Sequence, residues 1–198
     1  MAITRAEIKR KLFHNLVIVY MLAYAFLPRW ATLTILGTAL VIVGIIEFIR
    51  LRRPEVNAWF LSKFSGIHRD SEVMKPSGIF WTLLGSWLTI FVFPERRIVL
   101  PALGFMAFGD TAAALGGQKW GKHPWPKNPR KTYEGSACFA AVSAVWALFF
   151  LRWPAAIPGA VAIAWLESLP LPYNDNLWLP VVGAFALSVL NLTLGKFG

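Results

Sequence analysis

FGDTAAALGGQKWGKHPWPKNPRKTYEGSACFA, residues 108 to 140, is the stretch on which the fold turns. It opens in the last turns of an apolar run, crosses a loop with five Lys or Arg and three Pro, and closes in a second apolar run. Two helices crossing a bilayer and joined at one face give this pattern, because backbone polar groups in hydrocarbon must be satisfied within a helix. Asp110 adds to it, since a carboxylate late in an apolar helix is costly without a partner.

The rest of the chain repeats the pattern. Apolar stretches near residues 12–28, 30–51, 77–94, 96–116, 134–152, 154–169 and 177–195 predict seven transmembrane helices. The sixth is expected to be interrupted at Pro154 and Pro158. With 57% hydrophobic residues, ten Trp and a mean hydropathy of +0.54, the chain is too apolar for an ordinary soluble domain. The expected fold is an all-α membrane protein, one compact bundle forming a single domain over residues 1–198. The basic start, MAITRAEIKRKLFHN, is read as the flank of a retained first helix rather than a signal peptide. Residues Pro54 to Lys75 place Val56, Trp59, Phe60, Phe64 and Ile67 at roughly helical spacing, which predicts an amphipathic helix on the cytoplasmic surface, with a solvated linker as the alternative.

A net charge of +10 raises the question of nucleic acid, yet the basic residues lie between apolar spans rather than on one polar module, so no nucleic-acid partner is expected. They report orientation instead. With the N-terminus in the cytoplasm, fifteen of the 20 Lys and Arg fall inside, which predicts an inside N-terminus and an outside C-terminus. All the acids except Glu95 map to the same cytoplasmic half, which predicts the chemistry there. The lone Cys138, within an apolar run, excludes an intrachain disulfide and reads as a small packing residue.

Three constellations can carry chemistry. The first joins Asp110, Gly116-Gly117, the basic loop and Glu134-Gly135-Ser136. Glycines admit phosphate close to backbone N–H groups and lysines neutralise its charge, which suits a polyphosphate with a divalent metal. It is neither a Walker loop nor a dinucleotide fingerprint. On chemistry alone, such a loop also serves as a topology determinant or a contact for anionic lipid. The second, ESLPLPYNDN from Glu167 to Asn176, carries no basic residue on the side selected for positive charge. Asp175 with Asn174 and Asn176 offers hard oxygen ligands for Mg²⁺, which Asp175 and Asp110 are expected to share. The alternative is a turn in which Asp175 or Asn176 caps the last helix. The third is Glu7, Arg10, Lys11 and His14 on one helical face, a proton acceptor and phosphate contact or a basic interfacial flank. Glu47, three residues before Arg50, is expected to pair with it.

GDTAAALGGQKWGK, then KTYEGS, then ESLPLPYNDNLWLP, with EIKRKLFH at the start, resembles the dolichol kinase, phytol kinase and yeast-type CTP-dependent diacylglycerol kinase family over nearly the whole chain. The resemblance implies a multi-pass membrane enzyme that phosphorylates a lipid alcohol with CTP. It implies that Asp110 and Thr111 belong to the metal and nucleotide site. It assigns Gly116, Gly117, Lys122, Lys131, Glu134, Gly135 and Ser136 to the nucleotide-binding motif, and Glu167, Asp175 and Asn176 to the third loop. The family often has Gly-Arg where this chain has Gly117-Gln118, and Lys119 is expected to substitute for that Arg. The stretch from Gly109 to Gly135 is also similar to CDP-diacylglycerol synthases, but their C-terminal Lys-Asp and Asp-Arg signature is missing from residues 160–198.

The implied mechanism is phosphoryl transfer from CTP to a polyprenol, a phytol-like alcohol or diacylglycerol. Asp110 and Asp175 hold Mg²⁺, while Lys122 and Lys131 stabilise charge on the transferred group. Glu134 orients a lysine or completes the metal shell, and His14 is a base or phosphate contact. The lipid enters sideways between helices, in contact with membrane lipids, and a homodimer is a further expected partner. The rivals are a CDP-lipid-forming cytidylyltransferase and a non-enzymatic lipid-binding or transport protein; a transporter would place ionisable groups near the bilayer midplane rather than at one edge.

Overall fold

A computed structural model describes residues 16–63 and 73–194. The helices run α1 Val17–Phe26, α2 Arg29–Arg52, α3 Pro54–Lys63, α4 Gly78–Val92 and α5 Arg96–Gly104. A π-helical turn, Phe105–Gly109, leads without a break into α6 Asp110–Trp120. Then come β1 Pro124–Trp125, β2 Asn128–Thr132, α7 Tyr133–Leu148, α8 Trp153–Ser168 and α9 Asp175–Leu194. A helix lies in each of the seven apolar stretches. Three are long and apolar enough to cross a membrane: Arg29–Arg52, Arg96–Trp120 and Asp175–Leu194.

The structure departs from the sequence expectation in three places. The basic loop contains a two-stranded antiparallel hairpin, β1 with β2, so the described residues are not wholly helical. The fourth stretch continues as helix to Trp120, four residues past its expected end. The sixth stretch is one unbroken helix, since Pro154 sits in its first turn, where a missing N–H costs nothing, and Pro158 is accommodated inside α8. The proposed surface helix is described only as α3; Phe64 and Ile67 lie outside the described residues.

The helix from Arg96 to Trp120 is the axis of the bundle. Of its most apolar window 61% is buried, against 17% for α2 and 28% for α9. Leu103, Phe105, Met106 and Ala107 are fully enclosed. Small residues let its neighbour approach: at Gly104 the Trp146 indole of α7 fills the space a Cβ would need.

Two polar ends result. At one, the Arg29 guanidinium donates to the carbonyls of Ile90 (3.0 Å) and Phe91 (2.5 Å), Arg96 donates to Leu27 O (2.8 Å), and Tyr24 donates to Pro94 O (2.9 Å). At the other, the fully buried Arg50 reaches Glu47 Oε2 (2.5 Å), Asn57 Oδ1 (2.8 Å), Val73 O (3.2 Å) and Lys75 O (2.8 Å). The expected Glu47–Arg50 pair is present within α2, and the other hydrogen bonds of Arg50 tie α2 to α3 and to the chain entering α4.

Candidate functional site

Asp110 follows the π turn directly. A π turn admits an extra residue and changes the direction in which the next side chains leave the helix, and such turns recur at functional sites. Here it ends beneath Asp110, and the Thr111 hydroxyl, donating to Ala107 O at 2.7 Å, is turned back onto it.

Glu167 stands in the last turn of α8 and is almost wholly buried. The connection to α9 carries Pro170 and Pro172, then Tyr173 in the left-handed region at φ 65°. Asn174 next accepts the Asn176 N–H on Oδ1 at 3.0 Å, acting as the N-cap of α9. The alternative weighed in the sequence reading gave that cap to Asp175 or Asn176. Because Asn174 takes it, Asp175 is left to point into the site. The Asn176 carboxamide turns to α4, donating to Gly78 O (3.2 Å) and Thr82 Oγ1 (2.8 Å). At Gly85 the backbone of Asn176 and Leu177 occupies the room of a Cβ, so α4 and the start of α9 lie in direct contact.

Lys131, from β2, completes the group. Its Nζ is paired with Glu167 Oε1, lies 3.2 Å from Asp175 Oδ2 and is 3.9 Å from Asp110 Oδ1. Three helices and a strand, drawn from residues 110 to 175, therefore meet on one ammonium. Oxygens of Asp110, Glu167 and Asp175 all lie within 4.8 Å of one another, a spacing a single cation can bridge. Burial by itself would depress the Lys131 pKa, but Asp110, Glu167 and Asp175 outweigh it and hold the ammonium above its ordinary range.

The other predicted residues are placed as follows. Gly116 and Gly117 lie within α6. Gly116 packs on Cys138, and Gly135 packs on Ala113 O and Gly117, so these glycines bring α6 and α7 together. Cys138 is thus the packing residue the sequence suggested. Ser136 is buried and accepts the Trp125 indole N–H at 3.0 Å, fastening the hairpin to α7. Thr132 caps α7 by accepting Gly135 N–H at 3.1 Å. Lys122 is exposed beside the hairpin, and Lys119 lies 5.0 Å from the Trp120 ring. Asn176 spends its side chain on α4, as described. His14 and its companions Glu7, Arg10 and Lys11 lie outside the described residues.

The Glu134 carboxylate turns to the start of the basic loop, where it accepts the backbone N–H groups of Lys122 and His123. Its Oε1 is 2.6 Å from His123 Nδ1. The sequence reading missed His123, whose proximity depends on the hairpin: Tyr133 N donates to His123 O at 3.0 Å, bringing residues 11 apart side by side. A histidine at the start of a Pro-rich loop, with a glutamate after it, was the available signal. It also missed Thr82, in a helix with no charged residue.

No family model matches the chain, and no solved structure matches it. Curated proteins do. The chain is 27% identical to CTP-dependent diacylglycerol kinase 1 of Saccharomyces cerevisiae, over 98% of this chain and 77% of that protein. It is 25% identical to the Schizosaccharomyces pombe protein of the same name, over 73% of this chain and 74% of that one. To dolichol kinase EVAN of Arabidopsis thaliana it is 29% identical, over 87% of this chain and 33% of that longer protein.

Proposed function

We propose that this chain, a relative of the CTP-dependent diacylglycerol kinases and of a dolichol kinase over most of its length, is an integral-membrane lipid-alcohol kinase. It transfers the terminal phosphate of CTP to the hydroxyl of a polyprenol, a phytol-like alcohol or diacylglycerol. The observation that carries this reading is the Lys131 ammonium ringed by Asp110, Glu167 and Asp175 at one end of an apolar bundle. Phosphoryl transfer asks of a protein chiefly positioning and charge neutralisation, which such a cluster supplies. Orientation by the positive-inside rule puts this end in the cytoplasm, where CTP is available.

The donor set fits magnesium, since it offers hard carboxylate oxygens at bridging separation. Asp110 and Asp175 would hold the ion, with Glu167 as a third ligand. When bound, the metal neutralises charge on the phosphates and on the departing diphosphate. Lys131 and Lys122 take up charge on the transferred group. The lipid hydroxyl oxygen bonds to the terminal phosphorus, the bridging phosphorus–oxygen bond to CDP breaks, and the hydroxyl proton passes to a base. The lipid tail stays among the exposed apolar faces of the helices while its head reaches the polar end.

The test uses purified protein, Mg²⁺, CTP labelled on the terminal phosphate and a panel of polyprenols, phytol and diacylglycerol. Labelled lipid monophosphate and free CDP are expected from at least one alcohol. Asp110→Ala is expected to lower the rate by about 10²-fold or more, the scale of losing one electrostatic contact in a site of this kind. Release of pyrophosphate instead would identify a cytidylyltransferase, and no labelled lipid from any alcohol would overturn the kinase reading.

A further inference from the structure

The carboxylates assigned above to a divalent ion already face a cation. Lys131 Nζ lies 3.2 Å from Asp175 Oδ2, 3.9 Å from Asp110 Oδ1 and against Glu167 Oε1. An ammonium and a divalent ion held by the same three carboxylates repel each other, so each weakens the other's hold on them. Among the four groups, three carboxylates face one ammonium and negative charge is in excess, so the cluster still attracts a further cation. Lys131 itself is able to leave. It is carried by a short hairpin rather than a buried helix, its side chain is 24% exposed, and its long stem can turn outward.

From this geometry we propose, resting on the kinase reading, that Lys131 makes the cluster selective for a metal–triphosphate complex over the bare metal ion. A bare ion must drive the ammonium off the buried Glu167 carboxylate with no anion to receive it. A metal–triphosphate complex brings that anion with it, and the ammonium moves from carboxylate to phosphate oxygens. The exchange keeps the metal site weak until nucleotide arrives. It also delivers Lys131 to the group being transferred. Metal and triphosphate affinities are thereby coupled, and the coupling is reciprocal.

The experiment measures Mn²⁺ binding to the full chain in detergent, without nucleotide, from the electron paramagnetic resonance signal of free Mn²⁺. Lys131→Met is expected to bind Mn²⁺ at least about tenfold more tightly than wild type, because the competing charge is gone. Lys131→Arg keeps a positive charge and is expected to stay weak. A purely structural Lys131 predicts the opposite sign, since its loss would loosen the cluster. Size-exclusion profiles and thermal melts establish that each variant is folded.

Should Lys131→Met not fold, the wild type supplies the readout. Reactivity of the Lys131 amine towards an N-hydroxysuccinimide ester, followed by mass spectrometry, is expected to be low without metal and to rise severalfold in saturating Mn²⁺. Unchanged or weaker Mn²⁺ binding in folded Lys131→Met overturns the proposal, as does labelling that ignores Mn²⁺. If that occurs while the radiolabelled assay still yields lipid monophosphate, the kinase reading stands and the selectivity role alone falls. If neither protein binds Mn²⁺ and no lipid is labelled, both fall.

Discussion

At the scale of single residues, the charged members of the site were legible because each was out of place. Asp110 interrupts an apolar run, and Asp175 and Glu167 make an acidic segment with no basic residue in a chain whose other polar connections are mostly basic. Their partners were less legible, since the residues alone do not show which of five nearby cations turns inward; among the described residues Lys131 joins all three carboxylates. Asn176 was read as a third-loop oxygen ligand, and its amide donates to Thr82 Oγ1 and Gly78 O, the first a contact across 94 residues that no motif records. Thr82→Val would take from that half-buried amide the shorter of its two hydrogen bonds and is expected to cost about 1 kcal/mol. Thermal melts in detergent check it, with Thr82→Ser restoring most of the loss. Lys131 allows a statement about pH. Its folded pKa lies above the ordinary 10.5, so its stabilising effect is complete below that value and is lost only as the pH climbs through the folded one. Chemical denaturation should therefore show no Lys131-dependent change in stability from about pH 6 to about pH 9.

At the scale of elements, helices were readable from apolar length and their ends were not. The fourth stretch runs on to Trp120 because Gly116 and Gly117 are held in helix by packing on α7, whereas glycine beside a basic run reads locally as a loop. The hairpin was unreadable for a related reason: two strands this short, with three prolines nearby, have no periodic signal, and only their register brings His123 to Glu134. Helix contacts of this kind carry predictions of their own. Gly85→Ala would press a methyl group into the backbone of Asn176 and Leu177 and is expected to cost about 1 to 3 kcal/mol by overpacking. Because it moves the start of α9, the same variant should weaken Mn²⁺ binding, whereas Gly44→Ala, facing Phe80 at 3.7 Å, should change neither the melt nor the metal affinity. Asn174→Ala removes the cap of α9 and is expected to cost about 1 kcal/mol, read in the same melts.

At the scale of the whole molecule, the division into two polar ends followed from charge placement, and the structure adds what holds each end. The Arg50 knot gathers α2, α3 and the chain entering α4, and α4 in turn seats Asn176 next to Asp175. Glu47→Ala would take from the fully buried guanidinium one of its several partners and is expected to cost about 1 to 3 kcal/mol, measurable as a lowered melting transition. The four charged groups of the site come from three helices and a hairpin, so none is fixed to another by local backbone hydrogen bonds. A harsh detergent that lets neighbouring helices splay by an ångström or two can scatter the quartet while each helix keeps its own internal ladder. Circular dichroism would then report an intact preparation whose chemistry had already gone.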